Sequence, residues 1–201
     1  MGHGNTSAGL SGGIYDHSSS EVYQSRTMWK IALVGHSQIP QRFSFPGAQV
    51  RIFRVPGGKA SAFFDDSRLN EMLNWEHDLT IVWIRSNNVT SNTDPDMIFD
   101  HIKGICYTIK DNCQSVVYAC QIEPRLHLRG FSLQQYKKIQ SGINNRIKKR
   151  LGLRNIHFNN IQFVEELGGD GVHWSEAGRM RIESKFRKVI KGFIGEDDSD
   201  E

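Results

Sequence analysis

Cysteine is scarce and odd in number, three in 201 residues. That excludes a disulfide-built scaffold. Cys106, Cys113 and Cys120 form no Cys-x-x-Cys pair, so the usual zinc spacing is missing too. Small buried side chains are their expected role. No apolar run approaches the roughly 18 residues of a membrane helix. The N-terminus has no basic stretch followed by an apolar core, so no secretory signal is expected. A reducing, intracellular and cytoplasmic setting follows as an expectation. No repeat is visible at a period of about 20–50 residues. Net charge is only +3, but it is uneven. The last six residues, Glu196 to Glu201, hold five acids and no base, and leaving them out raises the charge from +3 to +8. A basic body with an acidic tail is a pattern that can touch nucleic acid.

Three familiar phosphate and acyl-transfer signatures are absent as well. The Gly-x-Ser-x-Gly elbow fails because position 39 is Ile39. A P-loop ending at Gly58-Lys59 fails because Phe53 stands where its first glycine belongs and Ala60 where its Ser/Thr belongs. Gly168-Gly169-Asp170-Gly171 lacks the glycine spacing of a dinucleotide loop. The histidines, His101 and His127 among them, show no metal spacing.

What is present is one domain's worth of alternating pattern. Residues 1–26 are rich in Gly, Ser and His and poor in apolar side chains, which predicts a disordered leader. Residues 27–195 make the domain and 196–201 an acidic tail. Lys30 to Gly35, Gln49 to Val55, Leu79 to Ile84, Ser115 to Cys120 and Ile161 to Val164 read as strands, short and apolar or alternating. Between them lie helical stripes. A short one runs through Phe64, Leu69, Met72 and Leu73. A second, opened by Pro95, carries Ile98, Ile102, Ile105 and Ile109. A third carries Leu133, Tyr136, Ile139, Ile143, Ile147 and Leu151 and is ended by Gly152. The last is capped by Ser175 and carries Ile182, Phe186, Val189, Ile190 and Phe193. Strands alternating with helices predict a three-layer α/β/α sandwich around a mostly parallel sheet of about five strands. The link from Gly35 to Gln49 is tight for a parallel crossover and holds Pro40 and Pro46, so only a turn or two of helix is expected there.

Such sheets place their chemistry beyond the carboxyl ends of the strands. There the chain has Gly35-His36-Ser37-Gln38, then Pro56-Gly57-Gly58, then Arg85-Ser86-Asn87-Asn88. Before the last helix it has Asp170-Gly171-Val172-His173. These are parts for acyl transfer. Serine needs an adjacent base to become a nucleophile, and His173 can be that base. Asp170, three residues earlier, can receive the other ring N–H and fix the tautomer. The N–H groups of Ser37 and of Gly57 or Gly58, with the Asn87 amide, can form an oxyanion hole.

This set resembles the SGNH (GDSL-like) hydrolases, whose blocks are a Gly-Asp-Ser, a lone Gly, a Gly-x-Asn-Asp and an Asp-x-x-His. The resemblance spans about Trp29 to Ile194. The chain as a whole most resembles the divergent SGNH-like domains of invertebrate and retroelement-encoded proteins. It implies an SGNH/flavodoxin-like fold and an ester hydrolase with Ser37 as nucleophile, His173 as base and Asp170 as orienting acid. It implies no cofactor or metal, and a small-molecule, lipid or sugar ester as substrate. Three positions depart from the family pattern: His36 and Asn88 stand where it has Asp, and Arg85 where it has Gly. With Arg125, which follows the fourth strand, these are candidate substrate contacts. The alternative implied by the departures is an inactive SGNH-like module that binds a protein or nucleic acid, the latter through the basic helix Lys137–Arg150.

Overall fold

The structure, a computed structural model, describes residues 28–36, 38–55, 67–84, 89–126, 128, 130–158 and 166–195. The predicted leader and tail, and the predicted strand Ile161 to Val164, lie outside them. Five strands form one sheet: β1 (Trp29–Gly35), β2 (Ala48–Arg54), β3 (Leu79–Trp83), β4 (Val116–Cys120) and β5 (Arg154–Ile156). Their order is β2-β1-β3-β4-β5 and every pairing between them is parallel. Among the described residues four helices accompany them: α1 (Ser67–Leu73), α2 (Pro95–Asn112), α3 (Leu133–Arg150) and α4 (Glu176–Ile194).

Strand periodicity sorts the core into two layers. Ala32, Val34, Val82, Val117 and Ala119 face α1, α2 and α3, where Ile98, Ile102, Ile105, Tyr136, Ile143 and Ile147 meet them. Ile31, Leu33, Ile81, Trp83 and Cys120 face the other way, toward Ile182, Phe186 and Ile190 of α4. β3 is buried along its whole length, as a central strand covered on both faces must be. Local signals fix the helix ends. Asp94 accepts from Asp96 N–H ahead of Pro95, Ser132 and Gln135 form a reciprocal capping box, and Ser175 accepts from Gly178 N–H. Gly195 closes α4 in the left-handed conformation, φ +79°.

One expectation needs correcting, and one strand goes beyond the sequence reading. The connection from β1 to β2 contains no helical turn among its described residues. Ile39, Phe43 and Phe45 are buried there instead, with the Phe43 ring edge-on to Phe186 at 6.4 Å. Large aromatic side chains from an irregular segment cover the face that a helix would have covered. The observed fifth strand is Arg154–Ile156, which the sequence reading did not mark. Three residues, only one of them buried, give no periodicity to read.

The basic residues of α3 do not form one outward face. Arg146 grips Asp96 of α2 through Nε and Nη2 at 2.7 and 2.6 Å, and Arg150 Nη1 reaches the same carboxylate at 3.0 Å. These hydrogen bonds hold the Asp96 carboxyl below the usual carboxylate range. Lys137 and Lys148 lie on a different side of the helix. The cationic stripe read from the sequence is therefore divided between a helix–helix clasp and a groove. No helix among the described residues is long and apolar enough to cross a membrane. The three cysteines are free thiols, and burial pushes Cys106 up to about 12.

A buried polar relay gives the fold a pH dependence. His77 Nδ1–H donates to Trp75 O at 2.5 Å, which leaves Nε2 to accept from Thr80 Oγ1 at 2.7 Å. Thr80 in turn lies 3.2 Å from Ser115 Oγ. Burial lowers the His77 pKa from 6.5, despite the opposing Trp75 hydrogen bond and Asp78 charge. The unfolded chain therefore binds the proton more readily than the fold. The stabilisation is complete above the unfolded value and is lost as pH falls below it toward the folded one. Thermal unfolding between about pH 7.5 and pH 5.5 should show a falling midpoint, with a smaller fall in His77→Gln. A pH dependence identical in the two proteins would refute this assignment.

Candidate active site

The Asp170–His173 loop is built by short-range bonds and then held by long-range ones. Asp170 Oδ1 accepts from the Val172 and His173 backbone N–H groups at 2.9 and 2.8 Å. Its Oδ2 accepts from His173 Nδ1. A carboxylate only accepts, so Nδ1 carries a proton; in the neutral ring this is the tautomer that leaves the lone pair on Nε2. The Asp170 carboxyl is held well below the usual carboxylate range, first by the His173 side-chain hydrogen bond and then by the backbone donors. The His173 and Asp170 side chains are 63 % and 51 % exposed. Gly171 supplies the left-handed corner, φ +59°.

Around this loop the chain closes on itself. Gly168 N–H bonds His173 O, Leu167 and Trp174 form an antiparallel bridge, and Ser175 N–H bonds Glu166 O at 2.9 Å. Glu166, 6 % exposed, takes an ion pair from Arg181 of α4. Gly178 presses against the same segment: a Cβ there would lie 2.1 Å from Glu166 O. Glu166, Arg181 and Gly178 were not singled out from the sequence, and nothing local to them signals the role.

Two bonds tie the loop to the strand ends. Leu126 N–H, in the connection after β4, donates to Gly171 O at 3.0 Å. Gln38 Nε2, just past β1, donates to Val172 O at 3.3 Å across 134 residues. The exit of β1 and the loop bearing His173 are thus neighbours. β1 itself approaches β3 closely at its end. A Cβ on Gly35 would lie 2.5 Å from Trp83 O, so the glycine two residues before Ser37 is required by strand packing.

The other sequence-based candidates fare differently. Ser37, Gly57, Gly58, Arg85, Asn87 and Asn88 lie outside the described residues. His36, expected to meet substrate, is 1 % exposed. It continues directly from a strand flanked on both sides, so its ring packs inside rather than lining an open surface. Arg125 is half-buried in the connection after β4. One buried group escaped the sequence reading: Glu123, fully buried beyond β4, accepts from Trp83 Nε1 at 3.2 Å.

No family model matches the chain. No curated protein sequence matches it significantly. Solved structures do. A lipase/acylhydrolase from Enterococcus faecalis superposes with a TM-score of 0.62 at 15 % identity, over 82 % of this chain and 96 % of its own. A Slackia heliotrinireducens protein assigned to the SGNH hydrolases gives 0.62 at 15 %, covering 81 % and 99 %. A member of the lipolytic G-D-S-L family from Veillonella parvula gives 0.60 at 12 %, covering 81 % and 98 %. At these identities the likeness is one of fold: the chain has the α/β architecture of SGNH/GDSL hydrolases.

Proposed function

We propose that this protein is a serine ester hydrolase of the SGNH type. The observation that carries the reading is the Asp170–His173 pair, with Nδ1 held by carboxylate and its loop bonded through Val172 to Gln38 beside position 37. The fold shared with lipolytic hydrolases supports it.

In this mechanism Ser37 Oγ attacks the ester carbonyl as His173 Nε2 removes its proton. Asp170 keeps the ring oriented and stabilises the imidazolium. The oxyanion is met by the N–H groups of Ser37 and of Gly57 or Gly58, and by the Asn87 amide. Collapse breaks the ester C–O bond, and His173 returns the proton to the departing alcohol. Water, deprotonated by His173, then attacks the acyl-serine, and Ser37 leaves with that proton. Arg85 and Asn88, which neighbour Asn87 in the sequence block, are candidate substrate contacts. The test is hydrolysis of nitrophenyl acetate and butyrate by the full chain beside Ser37→Ala. Turnover that disappears in the variant supports the mechanism, and equal rates refute it.

A further inference from the structure

A groove of about 510 Å³ runs along the β2 edge of the sheet, on the side that α4 covers. Its floor is Val50 and Ile52 of β2, which face the α4 layer but stay half-buried. Its walls are residues 41–44 of the β1–β2 connection and Arg187 of α4. None of the residues that line it is acidic.

Two cations stand in this groove without a counterion. Arg187 is half-buried, with its guanidinium over the Phe43 ring, 4.8 Å from the centroid, and Phe43 is held edge-on to Phe186. Such stacking pre-organises a guanidinium and leaves its N–H groups for an acceptor at the rim. Arg42 is exposed on the opposite wall. Neither arginine makes an ion pair or hydrogen bond with a described residue. The last turns of α4 add Lys188 and Lys191, whereas its two acids, Glu176 and Glu183, lie further back. Cations at a helix C-terminus suit the helix dipole, which accounts for those on α4 but not for Arg42. The path of α4 sets what can reach them. The loop before the helix is bonded to Gln38, at the carboxyl end of β1, and Phe193 near its end packs edge-on to Trp29 at 5.2 Å. Trp29 opens β1 and is the register partner of Ala48, which opens β2. The chain therefore leaves α4 beside the start of β2, and the left-handed Gly195 turns it off the helix axis. The next six residues hold five acids.

We propose that the acidic run Glu196 to Glu201 turns back into this groove and latches α4 to the β1–β2 connection. The reach is sufficient. Arg187 lies eight residues before Gly195, about 12 Å along the helix axis. Six extended residues span about 20 Å, so Asp198, Asp200 and Glu201 come level with Arg187 and Arg42. The charges are complementary, since residues 1–195 carry +8 and the run carries only acids and one serine. Exposed ion pairs are individually weak, but a tethered run meets the arginines at a high effective concentration. The latch would hold Phe43 against α4, where an irregular segment does the work of a helix. It does not depend on the hydrolytic mechanism.

The experiment compares the full chain with one carrying Glu196→Gln, Asp197→Asn, Asp198→Asn, Asp200→Asn and Glu201→Gln together. At low salt the amide chain should melt about 2–4 °C below the parent. The difference should vanish near about 0.5 M sodium chloride. Arg42→Gln with Arg187→Gln closes a double-mutant cycle. It should lower the midpoint of the parent at least twice as much as that of the amide chain, because stacking on Phe43 is lost equally in both. NMR spectra of the two chains locate the contact without relying on stability. Resonance changes beyond the substituted run should fall on residues 41–44, Val50, Ile52 and Arg187, and should not vary with protein concentration. Additive midpoints, changes confined to the run and its neighbours, or changes centred on α3 would each overturn the latch. Changes that grow with protein concentration would place the run on a second copy and overturn it too.

Discussion

Alanine at Ser37 or at His173 should each reduce ester turnover by at least about a thousandfold. Nucleophile and base act as one unit, so removing either forfeits the same proton-coupled attack. Asp170→Asn should cost roughly a hundredfold less than either, since the base survives. Its loss has a specific cause. The asparagine Oδ1 can keep the Val172 and His173 backbone bonds, but its Nδ2 donates where a carboxylate oxygen accepted. The ring is then driven to the opposite tautomer, with the proton on the nitrogen that should receive one. The His173 side chain is more than half exposed, so His173→Ala should leave stability nearly untouched, and a preserved thermal midpoint separates chemistry from unfolding. Steady-state rates and melting curves on the same samples decide it. Turnover by His173→Ala within tenfold of the parent would end the catalytic reading. Asp170 also carries an acid signature. Its folded pKa is depressed, so its contribution is present above the unfolded value of 3.8 and lost as pH falls through the folded one. Asp170→Asn should lack that part of the acid dependence.

The second large effect is expected from one methyl group. In Gly178→Ala the new Cβ would lie 2.1 Å from Glu166 O and 2.9 Å from Trp174 Cε3, neither of which is a free side-chain end. The helix or the Glu166–Trp174 segment must move, and the Ser175 N–H bond to Glu166 O goes with it. A loss of about 1–3 kcal/mol in stability follows from overpacking alone. Esterase activity should fall further than the fraction folded explains, because the displaced segment carries Asp170 and His173. Gly192, on the same helix, is the internal control. A Cβ there meets nothing within 4 Å, so Gly192→Ala should raise stability by about 0.5–1 kcal/mol. Equal midpoints for the two variants would refute the packing argument.

Much of this protein follows from interactions within a few residues of chain, which is why one sequence suffices to read them. β1, β3 and β4 announce themselves as apolar runs, and α2, α3 and α4 as stripes. Their ends are fixed by Asp94, Ser132, Ser175 and Gly195, whose capping chemistry is local. The Asp170–His173 pair belongs to the same class. Three residues apart around a glycine corner, the two side chains meet without help from the rest of the fold. β5 escaped because three strand residues with one buried side chain carry no period. The turn or two of helix expected between β1 and β2 gave way to buried Phe43 and Phe45, and the packing of Phe43 on Phe186 needs α4, more than a hundred residues further on.

What brings the parts together is the sheet. Only the order β2-β1-β3-β4-β5 sets the exit of β1 beside the loop before α4, so that Gln38 reaches Val172 and Leu126 reaches Gly171. The buried state of His36, the Glu166–Arg181 anchor and the close approach of Gly178 have the same origin. Each depends on which distant backbone happens to lie within a few ångströms. The sequence by itself determined β1 to β4, the four helical stripes, the Ser175 cap and the spacing of the Asp170–His173 turn, because short contour distances make those contacts unavoidable. The tertiary structure alone decided which strand end that turn faces, because long-range contacts are selected by how the two hydrophobic layers close over the sheet.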